Sequence, residues 1–470
     1  MHVPAQHTGA SPHRSLQVSR RDLIGAAGAA AAATALPLAA GSPASAAPAA
    51  AQTQAEAVAI PSPAELPLTG GPDFPIGIFW PPHPFASTHE RYAEVADAGF
   101  DFIISGNYAG DGNIFQHQLR IARDTGLKLL ISDDIQVRNM SRWFSISDNP
   151  AVSLSVTPAE ADALYKRAAD AYGPYSSLAG FNFYDEPGAG WFATLARALE
   201  IARARTPKLL PYINLFPSTS TTYYQQFVDV VKPSLVSFDR YPLLSDGRED
   251  ANYFLNWSLV RKAALSADLP AWIFIQTLSY DNHRTPTAAE LLWQINISLA
   301  YGAKGIQYFT YWTPEAARGE GFGPALITVE GERTERYDAA RTINTTWLRQ
   351  VGRELKPLLP DTVVHANEPV LPAGTVGFTP GGGLVAVSGQ PVVIGTFRSR
   401  DAAVTDRWAL VANRWHNARA AATVTVDPAV VSAVEVFDPA TSTYRPSGTV
   451  RRFDVDLAPG EATLVRLRGR

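Results

Sequence analysis

Phe181-Asn182-Phe183-Tyr184-Asp185-Glu186-Pro187 is an apolar, aromatic-rich run that stops on two adjacent carboxylates and a proline. Aromatic residues suit a pleated, buried strand, and proline ends one because it brings no N–H to the ladder. A buried strand gains nothing from Asp185 and Glu186 at its end unless it delivers them into a cleft. The stretch therefore predicts a strand whose C-terminal end faces a working site.

The same pattern recurs on both sides of it. Short β-branched or aromatic runs at 76–80, 101–105, 127–132, 179–184, 209–214, 234–239, 271–276 and 303–309 alternate with amphipathic segments. Thr157-Pro158-Ala159-Glu160 combines an N-cap residue, a first-turn proline and an acid, which predicts a helix running to about Tyr172. Thr285-Pro286-Thr287-Ala288-Ala289-Glu290 opens another, in which Leu292, Ile295 and Leu299 recur at helical spacing before Gly302. A last helix is expected from about Thr334 to Leu355. Eight strands alternating with eight helices over roughly 280 residues predict an α/β fold, the (β/α)8 TIM barrel. After Pro360 helical periodicity gives way to Val/Thr alternation broken by Gly and Pro, as in Ala422-Thr423-Val424-Thr425-Val426 and Phe453-Asp454-Val455-Asp456-Leu457. That texture predicts a small all-β sandwich. The expected boundaries are 73–358 for the barrel and 359–470 for the sandwich.

The N-terminus reads differently. Ser19-Arg20-Arg21-Asp22-Leu23-Ile24 precedes an Ala/Gly-rich run that closes on Ala44-Ser45-Ala46, a small-x-small cleavage pattern. Residues 1–46 resemble a twin-arginine signal peptide, which implies export of a folded protein to a bacterial cell envelope or exterior. Residues 47–72, rich in Ala, Pro and Gln, are expected to be a disordered linker. The 470 residues contain no cysteine, which excludes disulfides and thiolate metal sites. A net charge of −4 with no basic stripe speaks against nucleic acid as a partner. No other apolar run is long enough for stable membrane insertion.

In a barrel of this kind, working residues gather where each strand stops. The strand ends here are Trp80-Pro81-Pro82, Ser105-Gly106-Asn107-Tyr108, Ser132-Asp133-Asp134, Asp185-Glu186, Tyr212 with Asn214, Asp239-Arg240-Tyr241-Pro242, Gln276, and Tyr311-Trp312. Sugars present hydroxyl rims and weakly polar C–H faces, so a sugar site needs carboxylates and amides beside aromatic rings. Both kinds occur in this set. A carbohydrate substrate is the expected partner, with Trp80, Tyr108, Asp133, Asp134, Asp185, Tyr212, Asn214, Tyr241, Gln276, Tyr311 and Trp312 as candidate contacts.

The segment from Leu291 to Trp312, with Leu299-Ala300-Tyr301-Gly302-Ala303-Lys304-Gly305-Ile306-Gln307-Tyr308-Phe309-Thr310-Tyr311-Trp312 inside it, and the approach Glu332-Arg333-Thr334-Glu335-Arg336-Tyr337-Asp338 carry a family likeness. From residue 75 onward the chain resembles the clan A-like (β/α)8 glycoside hydrolases that carry a C-terminal β-sandwich. The resemblance implies a glycosidase whose acid/base is the Glu of an Asn-Glu pair ending strand four and whose nucleophile is a Glu ending strand seven. Glu186 matches the first position, with Asp185 in place of Asn. Strand seven departs from the pattern, because Gln276 stands where the nucleophile is expected.

Glycoside hydrolysis needs one carboxyl group to protonate the leaving oxygen and a second to attack the anomeric carbon or activate water. Glu186 is the candidate for the first role, with the Asp185 charge and a wall of Phe183, Tyr184 and Trp191 expected to favour its protonated form. Asp239 leads for the second role, with Asp133 or Asp134 behind it. Gln276 is then expected to hydrogen-bond substrate, and Glu315 and Glu320 are further carboxylates near the site. His83, His89, His117 and His283 are scattered singly, and neither a Gly-rich phosphate loop nor a Gly-x-Ser-x-Gly elbow occurs, so no metal or cofactor is expected. The alternative reading is a catalytically inactive barrel that binds carbohydrate. A weaker variant of it places the binding on the sandwich through Trp408 and Trp415.

Overall fold

The computed structural model describes residues 59–105, 111–141, 157–448 and 451–470. Residues 1–46, where the signal peptide is expected, the first part of the expected linker and Tyr108 lie outside the described residues.

Eight parallel strands close into a barrel in sequence order: β1 (Ile76–Phe79), β2 (Phe102–Ile104), β3 (Lys128–Ser132), β4 (Leu178–Asp185), β5 (Leu210–Leu215), β6 (Val236–Asp239), β7 (Ala271–Gln276) and β8 (Ala303–Phe309). The helices around them are α1 (His89–Asp97), α2 (Gly112–Asp124), α3 (Ile135–Ser141), α4 (Pro158–Tyr172), α5 (Phe192–Arg205), α6 (Tyr223–Val231), α7 (Tyr253–Ser266), α8 (Ala288–Ala300), α9 (Glu335–Ile343) and α10 (Arg349–Leu355). All eight expected strands are present, each within two residues of its expected limits.

Local chemistry sets the helix starts. Thr157 caps α4 in a reciprocal capping box with Glu160, as its sequence predicts. For α8 the cap is Thr287 and not the earlier Thr285. Thr287 Oγ1 accepts from the Glu290 amide at 3.3 Å while the Thr287 amide donates to Glu290 Oε2 at 2.8 Å, and a box of this spacing requires a Glu three residues on. The last expected helix is interrupted by a π turn over Asn344–Leu348 between α9 and α10.

Alternate residues of each strand point inward. Phe102, Ile104, Leu130, Leu210, Tyr212, Trp272, Phe274 and Phe309 fill the barrel. The Trp272 indole is accommodated by Gly305 on the neighbouring strand, where a Cβ would sit 2.6 Å from the ring. Leu66 and Leu68 join the same core, so the chain is ordered from well before residue 73. Burial of Leu66 and a capped turn at Pro63–Glu65 order this part of the expected linker.

The sandwich begins at β9 (Leu359–Ala366) and continues through β10 (Leu384–Gly389), β11 (Val392–Arg398), β12 (Arg407–Asn413), β13 (Ala420–Val426), β14 (Val431–Asp438), β15 (Thr443–Pro446), β16 (Arg452–Leu457) and β17 (Ala462–Gly469). A three-stranded sheet β10-β13-β16 faces a six-stranded sheet β15-β14-β17-β12-β11-β9, with antiparallel pairing throughout. The strict alternation of β16, where Phe453, Val455 and Leu457 are buried and Arg452, Asp454 and Asp456 exposed, shows one face packed and one wet.

The outer face of the six-stranded sheet is welded to the barrel. Val393, Phe397, Leu410 and Leu464 belong to the same apolar cluster as Leu291, Ile295 and Leu299 of α8. Gly395 lets β11 approach the end of α8 so closely that a Cβ there would lie 2.1 Å from the Ala300 carbonyl oxygen. Trp293 Nε1 donates to Arg414 O at 2.9 Å, and Asn296 Nδ2 to Gly460 O at 2.8 Å.

Candidate active site

β4, β5 and β6 end side by side, with Asp185 paired to Asn214 and Asn214 to Ser237 across the ladders. Asn214, Ser237 and Asp239 all point inward, since they lie at period-two spacing on their strands. The result is a buried polar chain. Asn214 Nδ2 donates to Asp239 Oδ1 at 2.9 Å and to Asp185 Oδ1 at 3.4 Å. Its Oδ1 accepts from Ser237 Oγ at 3.0 Å, Ser237 Oγ meets Tyr212 OH at 2.7 Å, and Gln307 bridges both through its amide at 3.0 Å. One amide nitrogen thus holds two carboxylates, and the 2.9 and 3.4 Å bonds together keep their nearest oxygens within about 6 Å of each other.

Glu186 follows at the rim. Its amide donates to Asn214 O at 2.8 Å, and its φ of 56° turns the chain sharply out of the strand. Left-handed φ in a non-glycine residue is strained, and Trp80 (62°) and Asp133 (64°) at the ends of β1 and β3 share it. Three of the nine non-glycine residues with left-handed φ among the described residues thus follow barrel strands on the C-terminal rim. Tyr223 of α6 braces the turn by donating to Pro187 O at 2.5 Å. Burial pushes its phenol up, and the charges of Tyr224, Glu186 and Asp239 add to the shift. Tyr212 is also raised, by burial first, with Ser237 and Gln307 opposing and Asp185 and Asp239 contributing.

Aromatic rings line the other half of the rim. Tyr241 stacks on Phe309 at 5.1 Å, Tyr280 packs edge-on to Tyr241 at 5.8 Å, and Phe322 lies 5.5 Å from Tyr280. The Arg318 guanidinium covers Trp80 at 4.2 Å. Trp312 sits between the Arg91 guanidinium and the edge of His83, which faces Glu315 at 3.7 Å. Arg240 pairs with Asp250 at 2.5 Å.

Several candidate residues lie elsewhere. Asp134 is a helix cap: Oδ1 accepts from the Gln136 and Val137 amides and Oδ2 from Tyr172 OH at 2.7 Å, so it faces α3 and α4. Gln276 is fully buried; Nε2 donates to Leu243 O and Arg284 O and Oε1 accepts from the Leu243 amide, which consumes the side chain in fastening two loops. Tyr212 lies inside the barrel below the rim, and Tyr311 is buried against Phe100 and Tyr337 on the helix side. Phe183 points outward onto Tyr165 of α4, so the wall expected beside Glu186 is reduced to Tyr184 and Trp191, whose rings meet at 5.3 Å. Asp133 remains on the rim with Arg138 at 3.9 Å. Ser237, Gln307, Tyr223 and Arg318 were missed. The first two had a signal, a polar residue at an inward position of an apolar strand.

Among the described residues no group of His, Asp and Glu is arranged to hold a metal ion, and no helix is long and apolar enough to cross a membrane.

No family model matches the chain, and no curated protein matches it. Among solved structures it is similar to the β-galactosidase from Bacillus circulans sp. alkalophilus, with 8% identity and a TM-score of 0.57 over 84% of this chain and 99% of that one. It also matches the β-galactosidase of the Antarctic haloarchaeon Halorubrum lacusprofundi, with 12% identity, a TM-score of 0.43 and 57% of each chain covered. A family 30 subfamily 8 xylanase from Clostridium acetobutylicum matches with 12% identity and a TM-score of 0.42 over 84% and 96%. The chain thus spans little over half the length of the haloarchaeal enzyme. At these identities the likeness is one of fold.

Proposed function

We propose that the protein is a secreted glycoside hydrolase that cleaves an O-glycosidic bond in an oligo- or polysaccharide. The observation that carries the reading is the Asn214 amide holding Asp185 and Asp239 together beside Glu186, on the rim where barrel enzymes place their chemistry. In the reaction, the Glu186 carboxyl group protonates the glycosidic oxygen as the bond to the anomeric carbon breaks, and that oxygen keeps the bonding pair. Asp239 supplies the second carboxylate, either attacking the anomeric carbon or taking a proton from the attacking water. Asn214 fixes the Asp239 oxygen, and Asp185 is positioned to accept hydrogen bonds from sugar hydroxyls. The aromatic half of the rim offers faces for the C–H side of the ring. Support from the fold comes from its likeness to the Bacillus circulans β-galactosidase, which makes β-galactosides natural first substrates to try. The twin-arginine pattern makes the cell envelope or exterior the proposed location.

The test uses wild type, Glu186→Gln and Asp239→Asn with plant, fungal and bacterial glycans and aryl glycosides. Sugar release by wild type, falling about 10³-fold or more in both variants, is expected. Binding of a glycan by wild type with no release from any bound ligand refutes the enzyme and leaves a carbohydrate-binding barrel. The anomer first released, read by NMR, assigns Asp239 as nucleophile or base.

A further inference from the structure

At the opposite end of the barrel lies a cavity of about 470 Å³, where the turn at Pro63–Glu65, the end of α7, the starts of β7 and β8, the end of α10 and the β11–β12 loop meet. Its size falls within the range of small-molecule sites. Five cationic side chains line it: Arg261, Lys304, Arg353, Lys356 and Arg400. The one carboxylate in the wall, Asp268, is already held by both terminal nitrogens of Arg400, at 2.7 and 3.0 Å. Arg353 is matched by Asp73, just outside, at 2.6 Å.

Arg261, Lys304 and Lys356 form no ion pair among the described residues; the charges of Asp73 and Asp101 act on Lys356, and that of Asp361 on Arg261, from outside the cavity wall. Lys304 Nζ donates to Leu355 O and Leu358 O at 2.5 and 2.7 Å, and Lys356 Nζ donates to three carbonyls, those of Leu68, Gly70 and Asp73. Carbonyl dipoles hold an ammonium but leave its net charge in place. Arg261 uses one terminal nitrogen on Asp361 O at 2.9 Å, while its Nε is buried without a partner. A buried guanidinium N–H left unpaired is costly unless something else accepts from it. The groups facing Lys304 are Arg400, Arg261 and Lys356, with Asp268 opposing, and burial with these cations lowers its ammonium to about 7.

We propose that this cavity is a binding site for a tetrahedral oxyanion, a phosphate or sulfate group, either free or as the monoester of a larger molecule. Such a group accepts from the fork of Arg261 and neutralises the convergent charge of Lys304 and Lys356. The apolar remainder of the wall, including Leu265 and Pro360, leaves room for the body of a monoester. Because the anion restores the charged form of Lys304, binding is accompanied by proton uptake at Lys304.

Calorimetric titration of the full chain with inorganic phosphate, sulfate and glucose 6-phosphate, against chloride at equal ionic strength, tests this. Saturable binding of an oxyanion but not of chloride is expected, weakened at least tenfold in Arg261→Gln, whose unfolding midpoint serves as the check on folding. Tighter binding of glucose 6-phosphate than of phosphate identifies a monoester site, and the reverse a site for the free ion. At pH 7 the enthalpy of sulfate binding should depend on the buffer, reporting net proton uptake, because sulfate, unlike phosphate, does not itself titrate there. No saturable binding, or a folded Arg261→Gln that binds like wild type, overturns the proposal. Glycoside turnover reads the other end of the barrel, so failure here leaves the hydrolase reading standing, and the converse holds.

Discussion

Replacing His416 with glutamine should weaken the joint between barrel and sandwich in a way that depends on pH. The imidazole is 7% exposed and lies between two carboxylates, with Nδ1 3.1 Å from Glu290 and Nε2 3.5 Å from Glu249. Burial alone would lower it, but Glu249 and Glu290 override burial and push it up to about 9 from the usual 6.5. A folded-state value above the unfolded one means that the stabilisation is fully present below pH 6.5 and is lost as pH rises through about 9. At full effect this shift corresponds to about 3 kcal/mol. Arg284 already lies 2.6 Å from Glu290 and Arg414 2.9 Å from Glu249, and Glu249 is 19% exposed, so about 1–2 kcal/mol is the reasoned share of His416. Guanidinium unfolding of wild type and His416→Gln at about pH 5.5, 7.5 and 10 measures it. The difference in midpoint should be large at the first two values and vanish at the third. An equal difference at all three would refute the charge argument and leave His416 acting only through its packing on Trp293, at 5.4 Å.

Asn214→Leu removes the donor shared by Asp185 and Asp239, and should cost about 1.5–3 kcal/mol in chemical denaturation and lower turnover about 10- to 100-fold. Gln276→Glu places a carboxylate against the carbonyls of Leu243 and Arg284, so it should destabilise by about 3–5 kcal/mol and gain no activity; a stable, faster variant would return Gln276 to the reaction. Tyr223→Phe frees the Pro187 carbonyl and should lower kcat about tenfold with KM little changed, whereas equal loss in a binding assay would mean that the turn shapes the cleft and does not aim Glu186.

The likeness between expectation and structure was greatest where one residue type leaves one option. Every barrel strand was legible because a parallel strand buried on both faces must be a short apolar run, and α4 because Thr157-Pro158-Ala159-Glu160 satisfies its own first turn. Side-chain direction was less legible. Tyr212 and Asn214 are both inward by the period of two, yet one lies in the barrel and the other at the rim, which depends on how far along the strand the barrel is filled. Phe183 was assigned to the cleft although a register irregularity between β4 and β5, spanning Asn182 and Tyr184, changes which residues of that strand face inward.

The sequence by itself determined the eightfold repeat, the switch to antiparallel strands near residue 360 and the placement of Asp185 and Glu186 at a strand end, because these follow from periodicity and turn chemistry within a few residues. Only the tertiary structure decided which carboxylates work together. Asp134 and Gln276 have the right chemistry at the right strand ends, but the start of α3 with Tyr172 of α4, and the loop backbones at Leu243 and Arg284, occupy all their polar atoms. Asp239 meets Asp185 only because barrel closure brings β4, β5 and β6 together around Asn214, and a contact of that kind is set by packing across the fold, with no trace in the local run of residues.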